Sequence, residues 1–469
     1  MTLPNDISSC HALIYKQQKE IKLLSTKVEE LEDRLNKNSR NSNKPPSSDG
    51  LKKKPKLKPA FPRKKGKKSG GQKGHQGKTL EISEAPDHIN PLLPSQCPCG
   101  QTLDQTKAEV LEIRQVFDLP EPKLEVTEHQ KLGCTCEHCG TYSTGTFPEN
   151  VKARVQYGAG VRALAVLLNI AFKLPLKKIQ TLFADLYGYA INQSTIIQAT
   201  QKCFDQLEES QKVIKQSLLN SLVVHFDETG LRVAGKLHWL HACCNKSFTY
   251  LFVHANRGLK ALQDIDSLLP DFKNWAIHDC WKSYFKFIQC LHGICGAHII
   301  RELIALEEKG VQWAVWFKRY LLTLYNMSEQ GKSKLNAEQK QKALLLFEKI
   351  WTYADQAEPP PEKSASGRGR PKATKGRNLL IRLMKHQAAV LAFAFYEAVP
   401  FTNNQAERDL RPAKIKQKVA GSFRILEGAI IYARIFGFVS TARKHQFNVF
   451  KELKLAFTGD AFLTKPIAS

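Results

Sequence analysis

The stretch Val223-Val224-His225-Phe226-Asp227-Glu228-Thr229-Gly230 decides how this chain reads. A short run of β-branched and aromatic residues leads into adjacent acids and then turn-formers, the pattern of a buried strand that ends on a carboxylate. Trp275-Ala276-Ile277-His278-Asp279-Cys280-Trp281 repeats that pattern with Asp279 at its end. A third segment, Asn403-Asn404-Gln405-Ala406-Glu407-Arg408-Asp409-Leu410-Arg411-Pro412, reads as a helix start with Glu407 in its first turn. Two strand ends and one helix can bring Asp227, Asp279 and Glu407 into one cluster. Hard divalent cations take oxygen ligands of this kind. Two such ions held about 4 Å apart can clamp both the attacking and the leaving oxygen of a phosphodiester.

The surrounding sequence supplies a frame for that cluster. Residues 221–228, 237–244 and 248–254 alternate as three strands, with turns at 234–236 and 245–247. An amphipathic helix is expected over 259–269 and a fourth strand over 275–278. The order β-β-β-α-β predicts an α/β, RNase H-like core in which the first and fourth strands lie side by side. Beyond residue 290 the chain reads as helical to about 355. A Pro/Gly/Arg-rich loop follows through 376, and then a helix that runs from Asn378 toward Glu407.

Each acid alone has a duller reading. An Asp after a strand is usually a turn residue, and Glu407, three residues after Asn404, could complete a capping box. The intervening strand pattern and the basic chain around them favour the chemical reading. Glu228 and Asp409 are the nearest substitutes. Glu228 points to the opposite strand face from Asp227, and Asp409 lies two residues round the helix from Glu407. Arg411 and Lys414 share the face of Glu407, with Arg408 beside them, which suits a phosphate backbone lying across the site. The rival, an exposed Glu407–Arg411 pair, would contribute only about 0.3–0.5 kcal/mol.

A chain of 469 residues is too long for one core. Its formal net charge of +26 is the outlying quantity, and residues 51–78 hold twelve Lys or Arg with no acid. A polyanion partner follows, with a membrane surface the weaker rival. Lys64, Lys65, Lys67 and Lys68 lie in this arm, expected to be disordered until it meets DNA backbone. The start has no signal-peptide pattern and no apolar run is long enough to cross a bilayer. With twelve Cys, this points to a cytoplasmic, nucleoid-associated protein whose thiols are reduced or bind metal.

The divisions expected are a coiled-coil helix (1–40), the basic arm (41–80), a zinc-ribbon-like DNA-binding module (81–150), a helix-turn-helix region (151–218), the catalytic domain (219–440, helical insertion about 297–400) and a C-terminal segment (441–469). In the first, Ile14, Ile21, Val28 and Leu35 at a and Leu24 and Leu31 at d favour a parallel two-stranded coil, against a helix packed on its own protein. In the third, Cys97, Cys99, Cys136 and Cys139 are the zinc ligands expected, with Cys134 and His138 as alternates. Strand-like runs at 110–117 and 123–129 separate the two knuckles. In the fourth, Gly188 divides one helix from a second that starts near Ser194.

With these motifs in place, the chain resembles the transposases of the insertion-sequence 66 family over nearly its whole length. The matching blocks are the coil, Asn41-Ser-Asn-Lys-Pro-Pro-Ser-Ser-Asp, Gly70-Gly-Gln-Lys-Gly-His-Gln-Gly, the cysteine knuckles, His225-Phe-Asp-Glu-Thr, His278-Asp-Cys-Trp and Asn403-Asn-Gln-Ala-Glu-Arg-Asp-Leu-Arg-Pro. The resemblance implies a DDE triad of Asp227, Asp279 and Glu407 working with Mg²⁺ or Mn²⁺. It also implies a helical insertion in the gap of 128 residues before Glu407. Its partners would be element ends and target DNA, further copies of the chain, and accessory proteins of the same element. Cys295-Gly-Ala-His298 looks like a Cys-x-x-His element that follows the second acid in several such enzymes, read either as a metal site or as a packed histidine. The first knuckle departs from the family's Cys-x-x-Cys by one residue. A non-catalytic zinc/helix-turn-helix regulator and a stand-alone RNase H-like nuclease are the alternative readings.

Overall fold

The computed structural model describes residues 6–42, 80–92, 96–101, 104, 108–330, 333–361 and 373–462. Lys64, Lys65, Lys67 and Lys68, with most of the basic arm, lie outside the described residues.

The centre is a five-stranded mixed sheet. Its strands are β3 (Val223–Val233), β4 (Lys236–Cys244), β5 (Thr249–His254), β6 (Trp275–His278) and β7 (Leu291–Ile294), in the order β5-β4-β3-β6-β7. The first three form an antiparallel meander, and β6 then pairs parallel to β3 from Val223↔Trp275 to His225↔Ile277. The β3–β4 turn is the two-residue loop Ala234-Gly235, both with positive φ, which matches the twist of a tight hairpin. The expected helix over 259–269 is a single turn, α6 (Leu259–Leu262). A second strand, β7, pairs parallel to β6 where helix was expected. Its residues Leu-His-Gly-Ile carry no alternation, and only pairing with β6 makes them a strand.

Before the sheet come α2 (Ala159–Val166), α3 (Leu176–Tyr187), α4 (Gln193–Gln206) and α5 (Glu208–Leu219). Gly188 ends α3 in the left-handed conformation and Asn192 caps α4 by accepting from Ser194 N–H. Ile179, Phe183, Ile191 and Ile196 give this helix pair a small core, while Ala199 and Cys203 of α4 join the large core under the sheet.

Between β7 and the last acidic segment run α7 (Gly296–Glu307), α8 (Gln312–Tyr325), α9 (Ala337–Ala357), α10 (Lys375–Lys385) and α11 (Gln387–Phe395). They bury a second core around Trp313, Phe317, Phe347 and Phe393. The single helix expected from Asn378 onward is therefore interrupted at His386 and again at 396–403. Strand β6 serves both cores, since Ala276 belongs to the larger and Ile277 to the smaller.

Three helices follow: α12 (Asn404–Ala420), α13 (Leu426–Lys444) and α14 (Val449–Ala456). Helix α13 crosses β5 so closely that a Cβ on Gly437 would stand 3.0 Å from the Thr249 carbonyl. At its C-terminal end Lys444 is largely covered and aims Nζ at Asp409 Oδ2 (2.6 Å), Thr249 Oγ1 (2.6 Å) and the carbonyls of Asn245 (2.8 Å) and Phe248 (2.9 Å). Asp409 also accepts from Thr249 Oγ1 at 3.0 Å. A buried charge is tolerable only when so fully bonded. This cluster staples α12 and α13 to the β4–β5 turn.

At the N-terminus, α1 (Ile7–Asn36) leaves its apolar stripe uncovered, each of Ile14, Ile21, Leu24, Val28, Leu31 and Leu35 being at least half exposed. Its end is tethered to the helical insertion by Asp33, which pairs with Lys309 (2.7 Å) and Lys375. In the cysteine module, the runs at 110–117 and 123–129 are exposed coil, not strands. The short hairpin of β1 (Gly133–Thr135) and β2 (Tyr142–Thr144) frames the second knuckle alone.

Replacing Lys444 by Met leaves Asp409 buried without its cation and is expected to cost about 3–5 kcal/mol in denaturant unfolding. The double change Asp409→Leu, Lys444→Met is expected to cost less than Lys444→Met alone. Equal costs would show that the pair does not act as a unit.

Candidate active site

Helix α12 lies along β3 because it is tied there at three levels. Asn403, fully buried just before the helix, donates from Nδ2 to the Phe226 carbonyl (2.8 Å), and its Oδ1 meets His225 Nδ1 (2.8 Å). The amide orientation set by the carbonyl makes Oδ1 the acceptor, so His225 carries its proton on Nδ1. Burial pulls the His225 pKa down to about 4, so the ring stays neutral. Asn403 N–H points at Cys295 Sγ (3.1 Å), which adds the start of α7 to the junction. Further along, Lys414 Nζ donates to the Gly230 carbonyl. Beyond the helix, Phe423 exchanges backbone bonds with Arg232 (3.0 Å) and Ala234 (2.8 Å).

These ties correct two expectations. The helix already begins at Asn404, its N-cap residue Asn403 makes no side-chain cap bond, and so Asn404 and Glu407 do not form a capping box. Lys414 is committed to β3, whereas Arg408 and Arg411 are exposed on α12. Lys416, which continues the basic run, is buried against Phe423 and Tyr432, and burial draws its pKa down to about 8.

The acids sort into two groups. Glu228 is buried and saturated, accepting from Arg257 Nε (2.6 Å) and Tyr284 OH (2.7 Å), and Asp409 is saturated by Lys444. Among the described residues, the other three keep open lone pairs. Asp227 accepts only from the neighbouring Glu228 N–H (2.9 Å). Asp279 accepts from Trp281 N–H (3.0 Å), and its second oxygen stands 3.8 Å from Arg257 Nη2. Glu407 Oε1 is buried without a hydrogen bond, 3.8 Å from both His298 Nε2 and Arg301 Nη1.

His298 is the common neighbour of the three. Its charge lowers the Asp227 pKa, it feels Asp279, and it faces Glu407. Burial opposes its protonation, but the adjacent Cys295 and Asp279 outweigh burial and hold it up to about 9. Burial first, then Glu228 and Asp279, push the Asp227 carboxyl well above the usual carboxylate range. Crowded carboxylates with spare oxygens fit hard divalent cations, which would relieve that repulsion. Among the described residues, no three His, Cys, Asp or Glu side chains converge closely enough to close a metal site. The donor chemistry fits, and the ligand set stands open.

The second acid sits on a bent backbone. Cys280, directly after Asp279, has φ +73°, a conformation that non-glycine residues rarely adopt. The bend is braced by neutral histidines, since Cys280 N–H donates to His278 Nδ1 (3.2 Å) and His278 Nε2 meets His292 Nδ1 (3.1 Å). Sequence reasoning missed this pair and Arg257. The cue for Arg257 was a lone basic residue three positions beyond β5, the edge strand that runs beside β4.

In the cysteine module the two knuckles fold alike. Cys97 N–H bonds the Gln101 carbonyl and Gly100 N–H the Cys97 carbonyl; Cys136 N–H bonds the Thr141 carbonyl and Gly140 N–H that of Cys136. Bonding to Gln101 lowers the Cys99 pKa, and bonding to Thr141 lowers that of Cys139, which favours the thiolate a metal needs. Val110, Leu111, Val116 and Val126 are exposed around them, so this segment has little core of its own. The four thiols are not gathered into one site.

Family models match along the chain. The one described as Transposase IS66 family spans residues 154–430, and one described as zinc-finger binding domain of transposase IS66 spans 94–140. A family of unknown function, DUF6444, covers residues 7–81. A search of curated proteins gives no match. The mixed sheet, its open carboxylates and these matches place the chain in the class of transposases, with DNA as partner and zinc as the metal its finger domain calls for. Within that class, the chain belongs to the IS66 family. No helix among the described residues is long and apolar enough to cross a membrane.

The raised His298 pKa has a testable sign. Its stabilisation is complete below its ordinary value of 6.5 and is lost as pH rises through about 9. In metal-free protein, the gap in thermal midpoint between the native chain and His298→Asn is expected to narrow across that window. A gap that widens with pH would contradict the assignment.

Proposed function

We propose that the chain binds the ends of its mobile element and carries out metal-dependent strand cleavage followed by strand transfer. The observation that carries this reading is the sorting of acids. Asp227, Asp279 and Glu407 keep unpaired oxygens around His298, while the adjacent Glu228 and Asp409 are neutralised by their own partners. The strand order β5-β4-β3-β6-β7, with Asp227 on β3 and Asp279 just beyond the parallel β6, supports an RNase H-like core.

In this reading Asp227, Asp279 and Glu407 hold Mg²⁺ or Mn²⁺. Bound there, the ions would supply Lewis acidity to the attacking and leaving oxygens of the phosphodiester. The protein's own part is positional. Asn403 and Lys414 fix α12 against β3, and Glu407 carried on that helix would complete the ligand set with the two strand acids. The His278–His292 pair fixes the turn that presents Asp279. Arg408 and Arg411, exposed on the same helix, receive backbone phosphates. Hydrolysis at the element end frees a 3′-hydroxyl, and transesterification forms one phosphodiester for each one broken, so no covalent enzyme intermediate is required.

The exposed face of α4, with Ser194, Gln198 and Lys202, is suited to reading a groove of the element end. The uncovered stripe of α1 pairs with the same stripe of a second copy as a parallel coil. Zinc bound by Cys97, Cys99, Cys136 and Cys139 joins the two knuckles and supplies the folding energy that the coreless module lacks.

Asp227→Asn, Asp279→Asn and Glu407→Gln are each expected to lower nicking of end DNA by 10³-fold or more while leaving end binding intact, measured on gels with Mg²⁺. Retained nicking in Asp227→Asn sinks the triad. Separately, Cys136→Ser is expected to lower the zinc content measured by metal analysis and to expose residues 94–140 to protease. Unchanged zinc would exclude Cys136 as a ligand.

A further inference from the structure

Arg257 follows β5 and reaches across β4 and β3 to the site. Its guanidinium lies against two indoles, 5.1 Å from the Trp239 ring and 4.5 Å from the Trp281 ring. Its Nε donates to Glu228 Oε1 at 2.6 Å, and the Glu228 side chain is fully buried. The indoles hold its flat surface and Glu228 holds one edge. What remains is the Nη edge, which faces Asp279, with Nη2 3.8 Å from Oδ2. That separation is too long for a hydrogen bond. Among the described residues, no hydrogen bond takes up Nη1 or Nη2, and the side chain is 40% exposed, so this edge is open to a ligand.

A plain counter-ion for Glu228 would not need this construction. Tyr284 OH already donates to the other Glu228 oxygen at 2.7 Å, and a single N–H on the first completes its needs. A guanidinium held by ring stacking, with two nitrogens turned outward beside an open carboxylate, is built for a planar or tetrahedral oxyanion. Cations gathered by Asp279 would also repel the Nη edge unless an anion lay between them. A phosphate meets both demands.

We propose that Arg257 grips the reacting phosphodiester, donating from Nη1 and Nη2 to its non-bridging oxygens beside Asp279 while Nε stays on Glu228. This rests on the carboxylate reading of the site and extends it. Arg257 is then a catalytic residue that touches substrate, and Glu228, Trp239 and Trp281 are positioning residues that act through it.

The test is the salt dependence of end binding, which registers phosphate contacts and requires no turnover. The full chain, with Ca²⁺ in place of Mg²⁺, is titrated by fluorescence anisotropy with a labelled duplex of its own element end at several salt concentrations. Arg257→Gln keeps a donor for Glu228 and removes the cation; Arg257→Lys is the second variant should the first melt early. One phosphate contact contributes about 0.9 to the slope of log K against log salt. Arg257→Gln is expected to reduce the slope by about one and to weaken binding about 10-fold at low salt. An unchanged slope in a folded Arg257→Gln overturns the proposal and leaves Arg257 a structural counter-ion. Should Arg257→Gln fail to fold, a folded Arg257→Lys decides through single-turnover nicking. A drop of 10-fold or more supports the two-nitrogen grip, and a native rate overturns it. Asp227→Asn in the same assays separates the two ideas, because its nicking at the native rate would sink the triad without touching the Arg257 slope.

Discussion

The site depends on Asn403. Its side chain binds the Phe226 carbonyl and His225, and its backbone meets Cys295, so β3, the start of α7 and the start of α12 are fastened at one buried amide. None of those elements is near the others in sequence. Without this junction, Glu407 would lie on a helix free to slide along the sheet. The His225 ring takes part as a neutral donor, which lets the junction be buried at all. A charged ring there would need a counter-ion, and Asp409, whose charge reaches it, is already committed to Lys444.

The same economy of charge explains why the neighbouring acids differ. Glu228 directly follows Asp227, and Asp409 is two residues from Glu407, yet each is paired with a cation delivered by a distant element. Arg257 comes from beyond β5 and Lys444 from the end of α13. The fold thereby cancels the charge of Glu228 and Asp409 and leaves Asp227, Asp279 and Glu407 without a hydrogen-bonded cation of their own. Burial sharpens the effect, because uncompensated carboxylates repel more strongly away from water.

Much of this frame was legible in the sequence because strand meanders and carboxylate-terminated strands are local patterns. The β3–β4–β5 hairpins, the β6 strand and the Gly188 turn all come from contiguous residues with clear turn chemistry. What escaped was non-local. Strand β7 has no alternation of its own and exists only through pairing with β6. The presumed strands of the cysteine module alternate in sequence yet find no partner, and remain exposed coil. Arg257 looked like an ordinary loop residue, since its indoles lie on β4 and beyond β6. Lys414 was read with Arg411 as a phosphate contact on the face of Glu407, but helix periodicity cannot tell which side faces solvent when polar residues surround the axis, and Lys414 is drawn inward to the Gly230 carbonyl.

Strand β6 is only four residues long, and its successive side chains Ala276 and Ile277 enter different cores. A one-residue slip would force isoleucine into a space shaped for a methyl group and leave a void where the branched chain belongs. The helical insertion therefore works as a phase lock for the strand. By demanding Ile277 on its own side, it sets from a distance the register in which Asp279 emerges beyond the strand.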